Sequence, residues 1–168
     1  MFGLFASTQR KATDAAIEGA RPYIALLQDV AGPGIPSGFW EDRYVVGFFQ
    51  FTTAFFAKHV TQGKASGATL GFATADALTA LSNRNGRAIM SRAADLTFAK
   101  DPEHARGADD AAALIYYAFG FLKDEDRHPL VKKALGGSKT TDRILISTLM
   151  LRESLFAEVE RIKAEGAV

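Results

Sequence analysis

Apolar residues recur along this chain at helical intervals, and turn signals cut the pattern into segments. From Thr8 to Ala31 the positions Ala16, Ala20, Tyr23, Leu27 and Val30 fall three and four residues apart on one face, which predicts a first helix. Pro22 lies inside this run. It removes one N–H and crowds the preceding turn, so a kink or break near Ala20–Arg21 is expected. Gly32-Pro33 stops the helix, and the Gly/Pro-rich run to Gly38 reads as a loop. A second helix is expected from about Phe39 to Gln62, with Ser37 or Gly38 as its cap and Gly63 as its end. A third should run from Ser66 or Ala68 to Ser82, a turn should follow at Asn83-Arg84-Asn85-Gly86, and a fourth helix should cover Arg87 to Ala99.

Asp101-Pro102-Glu103 has the chemistry of a helix start: a capping acid, proline in the first turn, then a second acid. The fifth helix should reach about Lys123, with Gly107 as a weak point. Lys123 to Pro129 is an expected exposed connection. A short helix from Leu130 to Leu135 should close at Gly136-Gly137. The last helix is expected from Thr140 to Ala164, capped by Thr140 or Thr141, with Leu145, Leu149, Leu155, Val159 and Ile162 on one side. Alternation of β-branched residues is almost missing, and alanine, the best helix former, is the commonest residue. The expected fold class is therefore all-α: one domain over residues 1–168, a helical bundle of about six helices around a central aromatic-rich helix.

The second helix is the unusual one. Six of the thirteen phenylalanines fall in it (Phe39, Phe48, Phe49, Phe51, Phe55 and Phe56), with the single tryptophan, Trp40, at its start. Between Tyr44 and Ala57 the polar side chains are Gln50, Thr52 and Thr53. The apolar stripe is wider than one packed face. Such a helix is central to the bundle or covered by a partner. In the third helix Gly67, Gly71, Thr74 and Ala75 keep the surface small, which lets another helix approach.

Composition narrows the function. The chain has 168 residues, 48% hydrophobic and 23% charged, with a formal net charge of +1. It is too apolar for disorder, and its charge is too balanced for an extended grip on nucleic acid. The absence of cysteine excludes disulfide scaffolds, thiolate metal sites and cysteine nucleophiles. The apolar residues at the start precede Arg10 and Lys11, the reverse of a secretory signal. The run from Tyr44 to Ala57 is too short to cross a bilayer. The expectation is a cytoplasmic protein with no membrane or nucleic-acid partner.

Several residue groups bear on chemistry. Glu125-Asp126-Arg127-His128 and Asp101-Pro102-Glu103-His104 place an acid and a histidine one turn apart, as in di-iron bundles. Both lie at helix ends among prolines and charges, so solvated loop charge is preferred and no metal is expected. His59, near the end of the aromatic helix, would need burial beside an apolar cavity to ligate haem. The preferred role is a histidine complementing the helix C-terminus. Arg84, Arg87 and Arg92 flank the Asn-Gly turn in the manner of a helix-turn-helix, but a basic inter-helix corner is the simpler reading. The Gly32–Gly38 loop lacks the Gly-Lys-Ser/Thr of a phosphate loop. Arg152, on the stripe of the last helix, is expected half-buried against a carboxylate or an anionic ligand. No catalytic triad can be proposed, and no cofactor is expected.

Three functions follow in order. The first is a non-enzymatic protein that self-associates, as a homodimer, or binds another protein through the aromatic helix. The second is a small-molecule binder whose pocket is lined by Trp40, Phe48, Phe51, Phe55 and Tyr116, with His59 or Arg152 orienting a polar group. An enzyme of no assignable reaction class comes third.

Overall fold

The computed structural model describes residues 2–31, 34–122 and 128–166, and every regular element among them is helical. The expected Gly32-Pro33 stop and the Lys123–Arg127 stretch, including Glu125 of the first acid–histidine pair, lie outside these residues. α1 (Phe2–Ala31) continues through Pro22 without the expected break. Ala12, Ala16 and Ala20 before the proline and Ile24 and Leu27 after it are all buried, so the same packed face spans the site.

Phe39–Glu41 is a 3₁₀ turn and not the first turn of the aromatic helix. α2 (Arg43–Val60) begins after Asp42, whose carboxylate accepts the Val45 N–H at 3.0 Å. Asp42 thus takes the capping role expected of Ser37 or Gly38, because the Phe39-Trp40 turn folds back before α2 starts. α3 (Gly67–Ser82) is capped by Ser66, α4 (Gly86–Phe98) by Asn85 and α5 (Pro102–Ala118) by Asp101. α5 passes through Gly107 unbroken and stops at Ala118, short of Lys123. Gly120 then turns the chain at φ 72°, a left-handed conformation that glycine adopts without steric cost. α6 (Pro129–Leu135) is capped by His128 and closed by Gly136.

α7 (Arg143–Leu151), a π-helical segment (Arg152–Phe156) and α8 (Ala157–Gly166) replace the single regular last helix. Asp142, not Thr140 or Thr141, is the cap, accepting the N–H of Ile144 at 2.9 Å and of Leu145 at 3.2 Å. A π turn inserts one residue into the helical repeat and shifts its phase. Leu155, Val159 and Ile162 are buried as expected, but upstream the buried residues are Ile146, Met150 and Leu151, while Leu145 is 46% exposed.

Glycines set the central crossing. Gly47 of α2 lies against the backbone of His104 and Ala108, and Gly107 of α5 lies against the Tyr44 carbonyl. A Cβ at either position would collide with the facing main chain. The two helices therefore touch backbone to backbone, and further along Phe55 meets Tyr116 and Phe119. Ascending residues of α2 meet ascending residues of α5, so the pair runs in one direction and both C-terminal ends emerge together. The main core gathers Phe39, Trp40, Tyr44, Phe48 and Phe49 with Leu27, Leu78, Leu114, Met150 and Leu155. A smaller core of Ala12, Ala16, Ala57, Ala73 and Ala77 joins α1 and α3 at the far end of α2, the close approach that small residues permit. Among the described residues no helix is long and apolar enough to cross a membrane.

Candidate functional site

The exposed aromatic side of α2 follows from its spacing. Phe51, Phe55 and His59 sit four residues apart, and an α-helix rises about 6 Å over four residues. Their rings form a ladder: Phe51 and Phe55 stack at 6.3 Å and 20°, Phe55 and His59 at 5.7 Å and 13°. Tyr116 of α5 stands edge-on to Phe51 at 6.1 Å and to Phe55 at 5.8 Å. Phe119, just past α5, tilts against Phe55 and His59 at 6.2 Å each, and Phe121 stacks on Phe119 at 6.1 Å. These rings are only partly covered, and Phe119 and Phe121 remain 48% and 57% exposed.

Ala54 makes the ladder concave. It lies three residues past Phe51, beside the row of Phe51 and Phe55 rings, and its small side chain borders a hollow. The resulting cleft has a volume of about 530 Å³ and is lined by Phe51, Ala54, Phe55, Lys58, His59, Gln62, Gly63 and Tyr116. A second hollow of about 430 Å³ lies across Phe51 and Ala54, reaching Gln50, Leu96, Lys100 and His104. Lys58 and His59 occupy the last turn of α2, where the helix carbonyls favour positive charge. Among the described residues neither the Lys58 ammonium nor the Tyr116 hydroxyl has an ion-pair or hydrogen-bond partner. The described lining carries no carboxylate.

Of the seven side chains expected to form a pocket, Phe51, Phe55, His59 and Tyr116 come together here. Phe48 does not: it is fully buried, packed edge-on to Tyr23 at 5.8 Å. Trp40 is buried between Phe39 and Phe49, at 5.1 and 5.0 Å. Arg152 is exposed at the start of the π segment, with no ion pair among the described residues, because the phase shift turns it off the buried stripe. Sequence reasoning missed Ala54, Lys58, Phe119 and Phe121. Ala54 and Lys58 share the Phe51–Phe55 stripe at spacings of three and four, which was the available signal.

The other candidate groups have structural duties. Asp101 accepts the His104 N–H at 2.9 Å, and the His104 ring bonds Gln50 Oε1 at 2.9 Å. Burial holds His104 below the ordinary histidine pKa. His128 accepts the Leu130 N–H through Nδ1 at 3.2 Å. Among the described residues no group of three or more metal-ligating side chains converges. His59 is exposed on the ladder, without the burial a haem ligand requires. Arg84 pairs with Glu41, and the Arg87 guanidinium lies 5.8 Å over the Phe72 ring, so two arginines of the basic corner are engaged within the chain.

A polar network on the opposite side of the α2–α5 crossing was not foreseen. The Tyr44 hydroxyl donates to Asp110 Oδ2 at 2.9 Å. Burial raises both pKa values, well above the phenol range for Tyr44 and above the ordinary carboxyl value for Asp110. The Arg106 guanidinium lies 4.2 Å over the Tyr44 ring and donates to buried Glu158 at 2.9 Å. Arg161 joins Glu158 to Asp42. These bonds fasten the start of α2 and α5 to α8, and among the described residues no buried side-chain nitrogen or oxygen lacks a partner.

Compared with known proteins, the chain matches no family model, no curated protein and no solved structure.

Proposed function

We propose that this chain is a binding protein that takes up a small apolar molecule in the cleft beside Ala54. The observation that carries the reading is the concave ring ladder. Phe51, Phe55 and Tyr116 present ring surface around a hollow of about 530 Å³, and ligand sites of about 300–1,000 Å³ lined by aromatic side chains are the usual form of small-molecule pockets. Every other large ring of α2's first half is spent on the interior. The rings of the second half keep water-exposed surface that a ligand would cover.

The test is a fluorescence titration with the neutral dye N-phenyl-1-naphthylamine. The expected result is saturable binding at one site per chain, abolished in Ala54→Leu, which fills the hollow while keeping a good helix former. Unsaturable uptake, or equal binding by Ala54→Leu, contradicts the reading.

The exposure of Phe119 and Phe121 at the rim favours a second reading, association of the chain with a second copy or another protein through the same face. Light scattering distinguishes the two. A dimer that Phe121→Ser converts to monomer supports association, and a monomer with a saturable dye site supports the ligand cleft.

A further inference from the structure

The walls of the cleft have a charge as well as a shape. Lys58 lies between Phe55 and His59 on the cleft stripe, and its ammonium has no counter-ion among the described residues. The Tyr116 hydroxyl, on the opposite wall, has no acceptor among them. No carboxylate belongs to the described lining, so the polar groups facing the hollow are a cation, a hydroxyl, an imidazole and an amide. The rings of Phe51, Phe55 and His59 lie near-parallel, with interplanar angles of 20° and 13°, and the Tyr116 ring stands edge-on to Phe51 and Phe55. Flat rings select flat partners through offset stacking or edge contact. A cation with no counter-ion among the described residues, at the edge of an apolar hollow, selects a negative head on an apolar body.

We infer that the ligand is a planar aromatic anion, a ring system bearing one carboxylate or sulfonate, with the rings over Phe51 and Phe55 and the anionic group toward Lys58 and the Tyr116 hydroxyl. This rests on the cleft being a ligand site and adds the chemical class of the ligand. Binding involves no bond-making step.

Two dyes that differ by one group test it. 8-Anilinonaphthalene-1-sulfonate is N-phenyl-1-naphthylamine with a sulfonate added. Lys58→Gln should weaken the sulfonate dye about fivefold more than the neutral dye, the scale of one partly exposed charge pair. Added salt should weaken the sulfonate dye on the native chain and lose most of that effect on Lys58→Gln. Lys58 is exposed, so the substitution leaves the core intact. Equal loss of both dyes, or no loss of the sulfonate dye, overturns the anion assignment while the apolar cleft stands. Failure of both dyes to bind the native chain overturns the cleft itself.

Discussion

The two halves of α2 carry the same kind of side chain to opposite ends. From Tyr44 to Phe49 every side chain is buried, and the backbone lies flush against α5 at Gly47 and Gly107. From Phe51 onward the rings are only partly covered, although they are just as large and just as closely spaced. The difference lies in the partners. The first half is enclosed by α5, by the Phe39-Trp40 turn and by Met150 and Leu155 beyond it. The second half has α5 on one side and α1 on the other, where Phe56 fills the space left by Gly19, and the Phe51–Phe55–His59 ladder meets Tyr116 and Phe119 yet stays only partly covered. Aromatic density in a helix therefore does not by itself specify a core. Coverage by other elements decides whether the same composition becomes interior or partly open surface.

Substitutions can break this contrast in order of size. Phe49→Ala empties a fully buried position between Phe39, Trp40 and Phe48 and should cost about 4 kcal/mol in urea unfolding. A loss under about 1 kcal/mol would mean that the first half is not the packed one. Gly107→Ala drives a methyl into the Tyr44 carbonyl and forces two helix backbones apart, at about 2–3 kcal/mol. Unchanged stability there would refute the backbone contact. Phe55→Ala, in the open half, should cost only about 1 kcal/mol, because it loses ring contacts but little burial.

A smaller stability effect is electrostatic. His104 joins the halves through Gln50, and burial keeps its pKa below the ordinary 6.5. The unfolded chain then takes up the proton first, so stability held near neutral pH is lost as pH falls below about 6.5. His104→Gln should flatten that slope in unfolding curves measured on either side of this value. An unaltered slope would assign the acid sensitivity elsewhere. Ala54→Leu should change stability by less than about 0.5 kcal/mol and yet remove dye binding, which separates the site from the scaffold.

Local chemistry made part of this architecture legible in the chain. Asp101-Pro102, Ser66 and Gly136 announced their helix ends because caps act within four residues of themselves. Asp42 was hidden because Phe39 and Trp40 extend the apolar run and resemble helix, although they form a turn. The phase slip between Leu145 and Ile146 arises from a π turn that carries no distinctive residue. Phe51, Phe55 and His59 share a stripe by their spacing, while Tyr116 lies on another helix and is legible in the chain only as an aromatic residue. The separation of Phe48 and Trp40 from them is not legible there, because it depends on which face of a broad stripe the rest of the fold encloses. The Gly47–Gly107 crossing and the Tyr44–Asp110 bond join residues about sixty positions apart, beyond any periodic pattern.

The most direct measurement is NMR of the chain with labelled aromatic rings, titrated with 8-anilinonaphthalene-1-sulfonate. Shifts confined to Phe51, Phe55, His59 and Tyr116, with Phe48, Phe49 and Trp40 unmoved, are the predicted result. Shifts that spread through the buried rings, or that appear only at rings remote from Ala54, would contradict an open half of α2 built to bind.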